Sequence, residues 1–170
     1  MSFPCTRKRR GSIVIEAAML IPLMIFLFLG LVEFSRVGWV YFTAQKMLYT
    51  FARYASTQQG LNPCDVSDPA VIQAKNLALT GTTDNSQDPI IPGLTAESIQ
   101  LRVERADPDS GELAECDCSA AGCDAAQGGR PPDFITARFS EGVTVLLRIP
   151  LISTDPIILR PQVRMPYGGI

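Results

Sequence analysis

The chain has 170 residues, with 15 basic side chains, 17 acidic side chains and 46% hydrophobic residues. This length allows one modest domain with extensions. The first eleven residues contain four of the basic side chains and no acidic one, so the rest of the chain, with 11 basic and 17 acidic residues, has a net charge of −6. This balance argues against a nucleic-acid-binding protein.

The first predicted element is an apolar helix. The twenty residues 13–32 include a single charged side chain, Glu16. A helix of this length rises about 30 Å, which matches the hydrocarbon thickness of a bilayer. The run is longer than the apolar core of a secretory signal, and no small-residue cleavage site closes it. We therefore expect a retained transmembrane helix.

Basic residues precede this helix and set its expected orientation. They are Arg7, Lys8, Arg9 and Arg10. Because positively charged flanks stay on the cytoplasmic side, the N-terminus should face the cytoplasm. The chain beyond about residue 35 is then extracytoplasmic.

The helical pattern continues past the expected membrane boundary. Apolar residues recur at spacings of three and four over residues 37–55, and Gly60 is a suitable stop. The pattern predicts one helix over residues 12–58, about 70 Å long. Its first half is apolar all round and its second half is amphipathic. Pro22 should kink it.

A shorter second helix follows a loop that is rich in turn-forming residues. Asp68 is a predicted N-cap, and Pro69 takes the first helical position. The helix should cover residues 70–80 and end at Gly81. Residues 82–93 are predicted to be irregular.

Alternating apolar residues predict three strands in the remainder of the chain. The first covers residues 99–104, and the second covers residues 143–149 and could extend backwards to Phe134. The third covers residues 157–165, where Pro161 restricts it to an edge or bulged position.

A sheet this small is marginal by itself and needs a cover. The amphipathic half of the long helix supplies one, which predicts an α+β fold: a long N-terminal transmembrane and amphipathic helix packed on a small antiparallel β-sheet. The outer sheet face, either solvated or a contact surface for an acidic partner, should carry Arg102, Arg148, Arg160 and Arg164.

Four cysteines fall in the predicted extracytoplasmic part: Cys64, Cys116, Cys118 and Cys123. An even number in an oxidising compartment indicates two disulfides. We favour one bond from Cys64 to the segment 116–123 and a second bond within that segment, because Cys116 and Cys118 are too close in sequence to pair readily. These bonds would staple the loop 107–133. A four-cysteine zinc site is the alternative, although the spacing lacks paired C-x2-C knuckles.

No catalytic constellation stands out. The sequence contains no histidine, the commonest general base and metal ligand, and no glycine-rich phosphate loop. Many carboxylates fall in loop 107–133, where calcium binding is an alternative, although the positions do not match an EF-hand. We expect no enzymatic activity, no metal and no cofactor.

The charge of Glu16 requires an explanation, because ionised groups inside a membrane are costly. About 6 Å of helix separates it from Ser12, so one interpretation is a carboxylate at the headgroup boundary. The surrounding pattern offers another. Four basic residues are followed by Gly11, Ser12, three apolar residues and Glu16. This arrangement, RKRRG followed by SIVIE, resembles the class III signal of type IV pilins and pseudopilins.

Within that superfamily, the stretch RRGSIVIEAAMLIPLMIFLFLGLVEFSR is similar to the TadE/TadF-like minor pilins of tight-adherence (type IVc) systems. The stretch TAQKMLYTFARYAS is similar to the second half of that family's helix, and GVTVLLRIPLIS is similar to its late strand. The chain differs from the major pilins in its greater length and in Ala17, which stands where many of them have tyrosine.

The resemblance implies a pilin-like minor subunit, or pseudopilin. Residues 1–11 would be a cytoplasmic leader that prepilin peptidase removes by cutting between Gly11 and Ser12. Glu16 would then be the fifth residue of the mature chain, where it would assist assembly and set the register by pairing with the terminal amine of a neighbouring subunit.

The resemblance also implies a location and partners. The location would be the bacterial inner membrane, with residues 59–170 as a periplasmic α+β domain, and the pilus after assembly. The expected partners are the membrane, prepilin peptidase, other Tad pilins and the inner-membrane assembly platform. Two other hypotheses stay open: an uncleaved bitopic scaffold of pilus assembly, and an unrelated single-pass protein with a small disulfide-bonded binding domain.

Overall fold

The computed structural model describes residues 10–84, 86–108, 110–148 and 155–168, with side chains in the first helix from residue 14 onward. Arg7, Lys8 and Arg9 of the predicted leader lie outside the described residues, as does Ile149 at the end of the second predicted strand.

A single long helix, α1, spans Arg10–Thr57, close to the predicted range of 12–58. Its 48 residues give a length of about 72 Å. The helix continues through Pro22 without a break. From Val14 to Val32 it is exposed along its whole circumference, whereas its second half buries one face that includes Leu48 and Phe51.

The second helix, α2, spans Pro69–Thr80 and has the predicted ends. The Asp68 carboxylate accepts a hydrogen bond from the backbone N–H of Ala70 at 2.8 Å, which satisfies a donor that the first turn leaves unpaired. Gly81 ends the helix with φ of 81°, and its N–H donates to the Leu77 carbonyl at 3.0 Å. Only glycine adopts this left-handed conformation without strain.

Six strands follow: β1 (Ile99–Ala106), β2 (Leu113–Glu115), β3 (Phe134–Phe139), β4 (Val143–Val145), β5 (Ile157–Leu159) and β6 (Gln162–Pro166). Four of them form an antiparallel sheet in the order β2-β1-β3-β6. The other two, β4 and β5, pair antiparallel in a separate two-stranded sheet. Two short 3-10 helices lie at Ala96–Ser98 and Ala125–Gln127.

The predicted α+β fold is confirmed, but the predicted number of strands was wrong. The second predicted strand and its backward extension are two strands, β3 and β4, in different sheets. The chain leaves the first sheet at Gly142, which has φ of 79° and lies so close to β5 that a Cβ there would be 2.6 Å from the Leu159 carbonyl oxygen. The third predicted strand is also two, divided at Pro161, which has no N–H for a ladder. Of these two, β6 does form a sheet edge.

The core lies between α1, α2 and the inner face of the four-stranded sheet. Leu48 and Phe51 of α1 belong to one cluster with Ile99, Ala137 and Phe139 of the sheet. A smaller cluster joins the end of α1 to α2, β1 and β3. The amphipathic half of α1 therefore covers the sheet.

The outer sheet face carries two of the four predicted arginines, and each is paired with a carboxylate. Arg102 lies 2.5 Å from Glu115, and Arg164 lies 2.7 Å from Glu104. Arg148 and Arg160 were wrongly placed there, because they follow β4 and β5 instead. The pairing favours the solvated interpretation over a contact surface for an acidic partner, since a partner would have to displace internal ion pairs.

Two disulfides connect the four cysteines, Cys64 to Cys118 and Cys116 to Cys123. One bond therefore links the loop before α2 to loop 107–133, and the other closes within that loop. The loop is less irregular than expected, because it contains β2, and the Cys116 N–H donates to the Val103 carbonyl at 3.1 Å. Asp124 anchors it further by accepting a hydrogen bond from the Asn62 amide at 3.0 Å.

The two disulfides should differ in their contribution to stability. In the chain-entropy account, the separation of 54 residues between Cys64 and Cys118 corresponds to about 4 kcal/mol, and the separation of 7 between Cys116 and Cys123 to about 2 kcal/mol. We expect C64S/C118S to lower the free energy of unfolding about twice as much as C116S/C123S. Urea unfolding of the full chain in detergent micelles, followed by near-ultraviolet circular dichroism, measures both. Equal losses would contradict the prediction.

Candidate functional site

The predicted processing junction lies near the N-terminal end of the described part of α1. This part begins at Arg10 and includes the bond between Gly11 and Ser12. Glu16 is one turn further along and is exposed. The helical rise places Ser12 and Glu16 about 6 Å apart along the axis. In the uncleaved chain, the candidate cleavage site and the candidate register charge are therefore parts of one continuous helix.

The segment after this junction has no cover among the described residues. Every side chain of residues 14–32 is exposed, and Phe28, for example, is 69% accessible. The most apolar window of the helix has a mean hydropathy of 2.5, and none of it is buried. An uncovered apolar surface of this extent indicates contact with lipid or with other proteins. Its length and composition suffice to cross a bilayer.

Pro22 leaves one backbone carbonyl of this segment without a hydrogen bond inside the helix. Because proline has no N–H, the Ala18 carbonyl lacks its usual helical donor. Ala17 and Ala18 are also small, so a neighbouring helix can approach closely next to Glu16.

Exposed aromatic side chains continue along α1 beyond the C-terminal end of the apolar segment. Phe34, Phe42 and Tyr49 are all exposed, with Phe34 78% and Phe42 70% accessible. Their spacings of eight and seven residues place them within about 80° of one another around the helix, beside the buried face that contains Leu48 and Phe51. From Val14 to Tyr49 the uncovered surface is about 53 Å long, which exceeds the hydrocarbon thickness of a bilayer by more than 20 Å.

Charged side chains mark the end of the apolar segment. Glu33 and Arg36 form an ion pair at 2.9 Å, and the Arg36 guanidinium also donates to the Leu146 carbonyl. The backbone N–H of Arg148 donates to the Glu33 carboxylate at 3.3 Å. The i,i+3 pair was visible in the sequence, but its contacts with residues 146–148 were missed, because nothing local links segments more than 100 residues apart.

A cavity of about 510 Å³ lies beside α2, and Lys75 and Glu97 line it. Lys75 is 8% exposed. Burial lowers the pKa of the Lys75 amine below its ordinary value, and the nearby Glu97 charge opposes part of this shift. Burial also raises the pKa of Tyr167, with a further contribution from Asp68. The Tyr167 hydroxyl donates to the Leu61 carbonyl at 2.7 Å, which ties β6 to the loop after α1.

Among the described residues, no cluster of three or more histidine, cysteine, aspartate or glutamate side chains is arranged to hold a metal ion.

These features define a class of protein: a small α+β domain built on one long helix, whose exposed N-terminal half is suited to anchoring the chain in a membrane. The model of the family described as TadE-like protein matches residues 11–61. The match begins at Gly11 and ends four residues after α1. It is consistent with a TadE-like protein, as the resemblance of the sequence indicated, and suggests a protein associated with the Tad pilus. No curated protein and no solved structure matches the chain.

The lowered pKa of the Lys75 amine leads to a pH-dependent prediction. Its pKa is lower in the folded than in the unfolded chain. The unfolded state therefore binds more protons between the two values, and folding stability rises with pH across that interval. K75M removes a charge that burial disfavours. It should raise the melting temperature at neutral pH, and this gain should shrink as the pH approaches the ordinary lysine value.

Thermal unfolding of the full chain in micelles at neutral and alkaline pH tests this prediction, with K75R as the control that keeps the charge. K75R should show no gain. A K75M gain that stays constant with pH, or a loss at neutral pH, would contradict it.

Proposed function

We propose that the chain is a minor pilin, or pseudopilin, of a Tad (type IVc) pilus or a related secretion apparatus, and that prepilin peptidase removes its leader after Gly11. Its role is structural rather than enzymatic. One observation carries this proposal: the described side chains of α1 are uncovered from Val14, close to the Gly11–Ser12 junction at which the TadE-like match begins, to well beyond the length that a bilayer covers.

The length of that surface favours a subunit over a simple anchor. A lipid anchor needs about 20 apolar residues, which residues 14–32 nearly supply. Phe34, Phe42 and Tyr49 lie beyond them and are exposed. Packing against the helices of other Tad pilins would cover both parts of α1 together, and burying apolar surface of this kind drives association.

Glu16 fits a pairing role in such a bundle. After cleavage, Ser12 would carry a free amine one helical turn from the Glu16 carboxylate. The amine of one subunit can then pair with the carboxylate of its neighbour. Pairing offsets part of the desolvation of each charge, and fixing the register is the best-attested use of a buried polar pair.

The local backbone is suited to proteolysis in spite of being helical. Gly11 lies within the described part of α1, which starts at Arg10. Glycine destabilises a helix by about 1 kcal/mol relative to alanine. The helix is therefore locally weakened at Gly11, which favours unwinding that presents the Gly11–Ser12 bond to the peptidase.

The disulfides support the proposed topology. Both join cysteines of the domain that follows α1, and disulfides persist in the periplasm but are rare in the cytosol. We therefore propose that the N-terminus faces the cytoplasm, that the domain faces the periplasm, and that the inner-membrane assembly platform is the first assembly partner.

Cleavage should depend on Gly11. We expect the chain extracted from cells with active prepilin peptidase to begin at Ser12. We expect G11A to retain Met1, because alanine stabilises the helix around the cleavage site and adds a methyl group there. Intact-mass analysis and N-terminal sequencing measure this. G30A is the matched control, since a Cβ at Gly30 meets nothing within 4 Å, and it should be processed normally.

A wild-type chain that keeps Met1 would overturn the cleavage proposal. It would favour the uncleaved scaffold, for which the continuous helix across the Gly11–Ser12 bond is the supporting observation. Normal processing of G11A would show that Gly11 is not required.

Glu16 should act after cleavage rather than during it. E16Q should be processed to Ser12 but fail to join the assembled pilus or secretion complex. Removing one partner of a buried ion pair costs about 3–5 kcal/mol, so incorporation should fall by more than an order of magnitude. E16D, which keeps the charge, should recover part of it. Quantitative immunoblotting of sheared pili and membranes measures incorporation, and equal incorporation of E16Q and wild type would exclude the pairing role.

A further inference from the structure

The pair of strands β4 and β5 lies at the membrane side of the domain. After β4, the Leu146 carbonyl accepts a hydrogen bond from Arg36, and two residues later the Arg148 N–H donates to Glu33. The chain therefore runs along α1 towards the apolar segment, since residue 33 is about 4.5 Å closer to that segment than residue 36. The apolar run ends at Val32, immediately before Glu33.

Apolar side chains on this part of the domain face outwards. Leu146 is 62% exposed, and Ile158 of β5 is 50% exposed. Ile158 pairs with Thr144, and Val145 pairs with Ile157, so Leu146 and Ile158 are diagonal neighbours on the same side of the two strands. On the opposite side, Val145 is buried against the domain. The outward side therefore carries two exposed apolar side chains, Leu146 and Ile158, next to the polar Thr144.

A basic side chain accompanies these residues. Arg148 is exposed, and its backbone is held at the level of Glu33 by the hydrogen bond described above. Leu146, Arg148 and Ile158, which we call the membrane-side patch, thus combine two apolar side chains with one cation. Groups of this kind are found at bilayer surfaces, where apolar residues enter the interface and arginine meets the phosphates.

From this geometry we infer that the membrane-side patch is a second lipid-binding surface, which rests on the bilayer that α1 crosses. The occupant is the phospholipid surface itself, because the patch continues the apolar surface of residues 14–32 at the level where that segment leaves the hydrocarbon. This inference rests on the membrane placement of α1 in the proposed function, but not on cleavage or on the role of Glu16.

Two attachments restrict the domain more than one does. A single helix can rotate about its own axis and tilt in the bilayer. Contact of the patch with the lipid surface restricts both this rotation and this tilt. Phe34, Phe42 and Tyr49 are then presented in a constant direction. Extraction of the subunit into an assembly would then require the patch to leave the lipid.

Site-specific tryptophan fluorescence tests this inference in the full-length chain. Trp39 is the single tryptophan, so W39F provides a silent background. L146W in this background is reconstituted in vesicles of phosphatidylcholine and phosphatidylglycerol, with the phosphatidylcholine brominated either high on the acyl chain or near its end. We expect blue-shifted emission, strong quenching by the shallow bromines, weaker quenching by the deep ones and little quenching by acrylamide in water.

Two control positions calibrate the measurement. F28W, in the apolar segment, should be quenched mainly by the deep bromines. V66W should be quenched by acrylamide only, because Val66 is exposed in the loop after α1. This loop follows the helix end at Thr57, which is about 36 Å beyond Glu33 along the helix. Adding I158D to L146W should reduce the lipid quenching, since a carboxylate on the patch disfavours contact with the interface. Ile158 is half exposed, so this substitution leaves the core intact.

The outcomes separate the possibilities. L146W that behaves like V66W lies in water, which overturns the inference. L146W that is shielded from both bromine and acrylamide is covered by protein, such as a second copy, which also overturns it. If F28W is not quenched by deep bromines, the membrane placement of α1 in the proposed function fails as well. Quenching of F28W without that of L146W rejects the patch alone.

Discussion

The rest of the structure depends on α1, which has no protein cover along the described part of its first half and packs against the domain along its second half. Its first half has no protein cover among the described residues, while Leu48 and Phe51 in its second half are fully buried against the sheet and α2. No loop separates the two halves, because the helix is continuous from Arg10 to Thr57. The domain is therefore attached to the apolar segment without a flexible linker, and an axial displacement of one is transmitted to the other.

The elements with local signals could be predicted from the sequence. The two ends of α2 follow from Asp68, Pro69 and Gly81, each of which acts within one helical turn. The pairing of the strands could not be predicted in the same way. The break between β3 and β4 depends on Gly142, whose backbone passes close to Leu159, and that approach is a tertiary contact. The polar turn Ser140-Glu141-Gly142 was the one local sign of the break.

In the candidate site too, residues with a local sequence motif could be predicted, and contacts between distant segments could not. Gly11, Ser12 and Glu16 form a linear motif, so a resemblance could identify them, and the structure adds that they lie on one helix with an uncovered surface. The contacts of Glu33 and Arg36 with residues 146–148 could not be predicted from the sequence, because neither segment contains a motif that indicates the other. The disulfides are an intermediate case. Cysteine spacing narrowed the pairings, but the bond from Cys64 to Cys118 also requires the loop before α2 to lie beside loop 107–133.

Paired charges on the sheet and uncovered apolar side chains on α1 indicate which surface would form contacts in the proposed assembly. On the outer sheet face, Arg102 and Arg164 are already paired with Glu115 and Glu104, and partly exposed pairs of this kind contribute at most about 1 kcal/mol each, so a partner gains little by replacing them. Along α1, by contrast, apolar and aromatic side chains are uncovered over about 53 Å. Transfer from water or lipid into a helical bundle changes the environment of this whole surface at once. In the proposed function this apolar surface has two uses: lipid covers it while α1 is in the membrane, and neighbouring helices cover it after assembly.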